Sequence, residues 1–153
     1  MGSKKLLFFG LVILAAILVI GILTADRNKY KEYTFPGAKE VVNQYFSSWD
    51  KKDYPDMYAT ISDGFKKLEP TAKDLATFRE YVDSQGINGV NIINIEEKSN
   101  DEKTASVDYS VKFKLSNGNE QSFNGTFTLK YREGDLIRGW KLVHPYGDKI
   151  DTS

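Results

Sequence analysis

Residues able to do chemistry are few in this chain, and their spacing serves it poorly. Cysteine is absent. That removes thiol nucleophiles, thiolate metal sites, disulfides and a lipid-modified cysteine together. The one histidine, His144, stands beside Pro145 at the end of an expected strand. A metal site needs several converging ligands, and a nucleophilic site needs its imidazole oriented by a third group, so His144 reads as structural or exposed. Asp53 and Asp56 flank Pro55 at a spacing that would suit an acid pair. Aspartates in a first helical turn are already explained by N-capping and by the helix dipole, and that reading is adopted. Asp63 and Asp108 have no partner visible in the sequence. Asn117-Gly118-Asn119-Glu120 lacks the ligands of a calcium loop and reads as a hairpin turn. The glycosylation sequon Asn124-Gly125-Thr126 falls inside an expected strand, which argues against its use. No phosphate loop, dinucleotide fingerprint, HExxH or GxSxG pattern occurs. The sequence therefore assigns no catalytic residue, no metal and no cofactor.

What it offers instead is a set of bulky side chains: Trp49, Tyr58, Tyr109, Phe113, Phe127, Leu129 and Tyr131. They either fill a core or line a pocket for an apolar or aromatic ligand, with tyrosine hydroxyls fixing its orientation. The inward strand positions hold no acid, and alternation turns Asp108 the other way. This argues against proton-transfer catalysis, which needs a carboxylate on the apolar face, although a helix or loop acid is able to reach in.

Three helices and a meander position these residues. Ala38, Val41, Val42, Tyr45, Phe46 and Trp49 recur on one face of a 3.6-residue period, predicting a helix from Ala38 to Lys51. A short helix restarts at Asp53-Tyr54-Pro55, runs through Met57, Tyr58 and Ile61, and ends near Ser62-Asp63-Gly64. Phe65 and Leu68 then anchor a loop that Pro70 closes. A third helix begins at Thr71, with Asp74 completing an approximate capping box and Leu75, Phe78 and Val82 forming the buried stripe. Gly86 fits its left-handed end.

Beyond Gly86 the period becomes two. Residues 90–97 form a first strand. Ala105, Val107, Tyr109, Val111, Phe113 and Leu115 then alternate with Ser106, Asp108, Ser110, Lys112 and Lys114. Asn117-Gly118 turns the chain, and Phe123, Phe127, Leu129 and Tyr131 share a face on the return, with Gly125 expected to mark a bulge or bend. A last strand runs from Ile137 to His144; Trp140 alternates there with Leu142 and His144, on a face the pattern leaves open. Helices followed by an antiparallel sheet of about four strands imply an α+β fold, a curved sheet closed over helices around a conical interior.

Residues 6–25 carry no charge. As a helix at ~1.5 Å per residue they span about 30 Å, the thickness of a bilayer core. Lys4 and Lys5 in the basic head, residues 1–5, also suit a cleaved secretory signal. The apolar run is longer than the ~7–15 residues of such signals, and Leu23 fits the cleavage site poorly, which favours an uncleaved signal-anchor. Raw Lys/Arg counts place Arg27, Lys29, Lys31 and Lys39 inside; the short basic head favours the domain outside, the reading adopted. Gly2 lacks the serine or threonine needed at Leu6 for myristoylation. Residues 26–36 read as a juxtamembrane linker, unless Tyr30, Tyr33 and Phe35 already pack on the domain edge. Basic and acidic residues balance at 21 each, so no basic field exists for nucleic acid. All but two of the aromatics lie beyond residue 25, enough for one folded core.

This layout resembles the NTF2-like α+β cone. It is similar in particular to the NTF2-like N-terminal domain of membrane-anchored penicillin-binding transpeptidases. The carrying residues are the first helix ending in Trp49, Asp53-Tyr54, Met57-Tyr58 through Ser62, and Gly139-Trp140-Lys141-Leu142-Val143-His144-Pro145, after an apolar anchor. The resemblance covers residues 37–147, with 148–153 as a C-terminal tail. Such transpeptidases continue into a catalytic domain with an active serine. This sequence ends at Ser153, so peptidoglycan chemistry is expected from another polypeptide. The anchor and the acid-free lining together predict a non-catalytic, membrane-tethered, extracytoplasmic module that binds an envelope protein partner or a small apolar ligand. The bilayer itself is a partner through residues 6–25. An isomerase or hydrolase-type enzyme working in the cone, and a structural spacer, remain as alternatives. Ser110, Thr126 and Thr128 on the outer sheet face would serve a homodimer.

Overall fold

The computed structural model describes residues 34–145. The basic head, the apolar segment 6–25, most of the linker and the tail 148–153 lie outside them. Among the described residues no helix is long and apolar enough to cross a membrane.

Helix α1, Ala38–Lys51, has the expected bounds. Glu40 in its first turn and Lys51 in its last complement the dipole. Lys52 ends it in a left-handed conformation, φ 58°. Its buried face carries Ala38, Val41, Val42 and Phe46, with Tyr45 and Trp49 half-buried beside them. Helix α2, Tyr54–Ala59, is capped by Asp53, whose carboxylate accepts from the Asp56 N–H at 3.2 Å. The two aspartates are thus a cap and its first turn, as the sequence implied.

The next segment departs from expectation. Ser62 starts a helix instead of ending one: its hydroxyl accepts from the Phe65 N–H at 2.9 Å and opens α3, Asp63–Leu68. A 3-10 turn, Pro70–Ala72, follows, and Glu69 caps it. Helix α4, Leu75–Ser84, is capped by Asp74, which accepts from the Thr77 N–H at 2.8 Å. Thr71 is not the cap, because Pro70 and the 3-10 turn place it before the helix; its hydroxyl donates to Glu69 at 2.8 Å. Phe78 and Val82 are buried, whereas Leu75 is exposed. A first-turn residue lies at the helix margin, where the stripe no longer faces the core. Gly86 follows at φ +66°, as predicted.

Strands β1 (Ile87–Asn100), β2 (Thr104–Leu115), β3 (Glu120–Arg132) and β4 (Gly139–Leu142) form an antiparallel meander in chain order. The last strand is shorter than expected; Leu136 and Ile137 are exposed and belong to the preceding loop. The bend is also elsewhere. β2 and β3 pair in unbroken register through Tyr109↔Gly125, while β1 shifts register against β2 at Ile87/Gly89, Ile92/Asn94 and Glu97/Ser99. Gly125 is therefore no bulge. A Cβ there would lie 2.6 Å from the Tyr109 hydroxyl, so the missing side chain is the space the Tyr109 ring occupies. The outer edge of β4 is covered by the α2–α3 connection. The Ser62 N–H donates to the Leu142 carbonyl at 3.0 Å and the Leu142 N–H to the Thr60 carbonyl at 2.9 Å. Among the described residues, four helices precede a four-stranded antiparallel sheet, the α+β class anticipated with one helix more than expected.

Candidate functional site

The aromatic side chains from α1, β2 and β3 form one block. Tyr109 stacks on Phe127 with ring centroids 4.6 Å apart. Phe46 sits 5.0 Å from Tyr109, and Tyr45 meets Phe127 edge-on at 5.6 Å. Trp49 lies 5.0 Å from Phe113, which continues to Phe123 at 5.2 Å. Leu129 is fully buried beneath. Period-two alternation puts the strand residues on the inner face, and the 3.6-residue period of α1 lays Phe46 and Trp49 across them. The Trp49 indole N–H is buried without a hydrogen-bond partner. That is a cost accepted for ring packing.

The other end of the interior is not filled. A cavity of about 290 Å³ is lined by Tyr45, Ile61, Phe65, Ala72, Phe78, Tyr81, Phe127, Leu142 and Val143, with Glu69, Thr71 and Pro145 completing it. This lies at the lower margin of the size at which small-molecule sites begin, ~300 Å³. Its polar lip comes from two distant segments. His144 Nε2, from the end of β4, lies 3.5 Å from Glu69 Oε2, and the His144 ring packs on Phe65 at 5.0 Å. His144 is mostly buried in this pairing, in keeping with the structural half of its reading and not with the exposed half.

Of the seven residues singled out by sequence, Trp49, Tyr109, Phe113, Phe127 and Leu129 come together, and Phe127 alone among the seven reaches the cavity. Tyr58 lies apart. It packs on Phe78 at 5.3 Å, donates its hydroxyl to the Ala72 carbonyl at 3.0 Å, and carries the Lys66 ammonium over its ring. Tyr131 is at the far end of β3, edge-on to Trp140 and accepting from Arg138 at 3.3 Å. Sequence reasoning missed Tyr45 as a lining residue and Glu69 entirely. Tyr45 was visible on the apolar face of α1. Glu69 is held locally by Thr71, but its place at the cavity lip depends on His144, many residues away.

The electrostatics divide in the same way. Burial pushes the Tyr45, Tyr58 and Tyr109 phenols up from their ordinary value. Glu69 goes down. The Thr71 hydroxyl, then the Thr71 N–H, hold its carboxyl below the usual range; burial opposes them, and the His144 hydrogen bond adds to them. A carboxylate so held is an acceptor for a donor or cation. A general base would be poised near the working pH, and Glu69 is driven away from it. Among the described residues no cluster suitable for a metal ion occurs.

Solved structures match this architecture at the level of fold. A SEC-C motif containing protein from Psychrobacter arcticus superposes with a TM-score of 0.52 at 14% identity, over 79% of this chain and 66% of that one. Another, from Rhodopseudomonas palustris, gives 0.51 at 14% identity, over 71% and 79%. The Δ5-3-ketosteroid isomerase of a Mycobacterium species gives 0.51 at 11% identity, over 74% and 95%. No curated protein sequence matches the chain. The family model for the NTF2-like N-terminal transpeptidase domain matches residues 37–146. With the amphipathic α1, the meander and the Gly139–Pro145 segment all falling inside that match, the chain belongs to the NTF2-like N-terminal transpeptidase domain family.

Proposed function

We propose that this NTF2-like domain is a non-catalytic binding module, tethered at the outer face of a cell membrane by residues 6–25. Its ligand, free or presented by an envelope protein, has an apolar body and a donor or cationic head. The apolar body occupies the cavity beside Phe127 and Phe78, and the head meets Glu69. One observation carries the reading: an apolar cavity of about 290 Å³ bordered by a carboxylate that the Thr71 hydroxyl and N–H hold below the usual range.

The Glu69–His144 pairing favours a second reading, an isomerase or hydrolase-type site in the same cone. The two separate experimentally in the full chain held in lipid nanodiscs. Benzylamine, a ring with an ammonium head, is expected to shift the resonances of Tyr45, Phe65 and Phe127. Glu69→Gln is expected to weaken it about ten-fold, the loss of one charge-assisted hydrogen bond. Toluene, lacking the head, is expected to bind both forms equally. Unmoved resonances, together with Glu69-dependent turnover of a Δ5-3-ketosteroid, would replace the binding reading with the enzymatic one. Protease digestion of the domain on intact host cells tests its side of the membrane. Pairing through the outer sheet face, with Thr126 and Thr128, would appear as a dimer mass for the nanodisc-free chain in detergent.

A further inference from the structure

The β3–β4 loop, residues 133–138, presents two large apolar side chains to solvent. Leu136 is 92% exposed and Ile137 55%. Single exposed apolar residues are ordinary on a protein surface. This pair differs because the loop is clasped in place from below. The Asp135 carboxylate, 4% exposed, accepts from the Arg132 Nε–H at 3.3 Å and from the Asp63 N–H at 3.0 Å. The Asp63 carboxylate returns the contact by accepting from the Leu136 N–H at 2.7 Å. Two aspartates thus lock the loop onto the start of α3 and turn the Leu136 side chain outward.

Phe35, itself 42% exposed, belongs to the same surface. The Arg138 guanidinium lies 5.6 Å from its ring, and its Cδ1 is 3.7 Å from where a Cβ on Gly139 would be. The polypeptide therefore joins the domain beside this loop. Only residues 26–34 separate Phe35 from the apolar segment ending at Ala25. Fully extended at ~3.3–3.6 Å per residue, they reach about 30 Å. Arg27, Lys29 and Lys31 in that stretch, and Arg138 on the loop, suit an anionic headgroup layer, with Glu133 partly offsetting Arg138 at 3.7 Å.

We infer that the Leu136–Ile137 tip, with Phe35, is a membrane-contact surface that inserts into the interfacial region of the bilayer and fixes the domain's orientation on it. This rests on the tether proposed above. Apolar side chains placed at that depth leave water while neighbouring cations remain among the headgroups.

The absence of cysteine makes the test direct. Leu136→Cys, Ile137→Cys and, at the opposite end of β3, Asn117→Cys each give the full chain a single site for a bimane label. Each labelled chain is reconstituted in phosphatidylcholine–phosphatidylglycerol vesicles with and without doxyl-labelled lipid. Insertion is expected to blue-shift the labels at 136 and 137 and to quench them roughly three-fold more than the label at 117. Equal, weak quenching at all three positions in chains that float with the vesicles would overturn the contact surface and leave the tether standing. Chains that fail to float after a carbonate wash would overturn both. A blue shift in host membranes without doxyl quenching would assign the tip to a protein and overturn the lipid assignment.

Discussion

The two ends of the interior between α1 and the sheet obey different rules. Toward the β2–β3 hairpin, Trp49, Tyr109 and Phe113 interdigitate across the gap between α1 and the sheet and fill that end, with Phe127 standing between this block and the cavity. Toward α3 and the end of β4 the walls are held apart by directional bonds: Ser62 and Thr60 to Leu142, Tyr58 to Ala72, His144 to Glu69. There the cavity survives. Side chains that fill space collapse a cone, whereas hydrogen bonds between backbone segments set a distance and leave the volume between them. The contrast explains why a carboxylate is accommodated at one end and none is found among the rings at the other.

Truncation at the two ends provides the strongest test. Phe46, 2% exposed and wedged against Tyr109 and Phe127, is expected to cost about 3–5 kcal/mol as Phe46→Ala in urea denaturation. Phe65→Ala, at the cavity wall, is expected to cost about 1–2 kcal/mol less, because part of the lost packing already faced empty space. Equal losses would break the comparison.

Overfilling the sealed end is the next largest effect. Gly125→Ala is expected to cost about 1–3 kcal/mol, since the new Cβ meets a Tyr109 ring pinned by Phe127 and Phe46. In a Tyr109→Leu background the same change is expected to cost clearly less; an unchanged penalty would place the strain elsewhere. At the other end, Asp74→Ala is expected to lose ~1 kcal/mol through the α4 cap. Thr71→Ala is expected to leave α4 helicity intact and to raise the Glu69 titration midpoint in carboxyl-detected NMR, because the Thr71 hydroxyl, its strongest donor, is lost while the backbone N–H remains.

The remaining effects are pH-dependent. Burial first, then its hydrogen bond to Asp83, pushes the Tyr54 phenol up to about 12. An unfolded tyrosine ionises near ~10, so this stabilisation is whole below that pH and is lost as pH rises through about 12. Tyr54→Phe is expected to flatten alkaline unfolding across that interval. Glu69 has the opposite sign: its contribution is present above the ordinary carboxylate range and disappears as pH falls through its lowered value. Glu69→Gln is expected to remove that part of the acid-side slope; a slope unchanged in the variant would dissociate the lip from stability.

Much of this protein was determined locally, and local physics explains why. The bounds of α1 follow from one apolar stripe, the Asp53 cap from an oxygen near open N–H groups, the Gly118 turn and the alternation of β2 from period and backbone freedom alone. Where two local signals competed, the sequence was ambiguous: Ser62-Asp63-Gly64 suits a helix end as well as a start, and only the pairing of Ser62 with Leu142 decides between them. Gly125 looked like a bend because its role, making room for Tyr109, belongs to the neighbouring strand. The aromatic residues of the interior were legible as a set. Their division into a sealed block and an open lip was not, because whether a ring fills a gap or faces a cavity depends on the distance between elements. Glu69 and His144 show this most clearly: each is unremarkable in its own segment, and the site exists because the fold carries the start of a 3-10 turn to the end of the last strand.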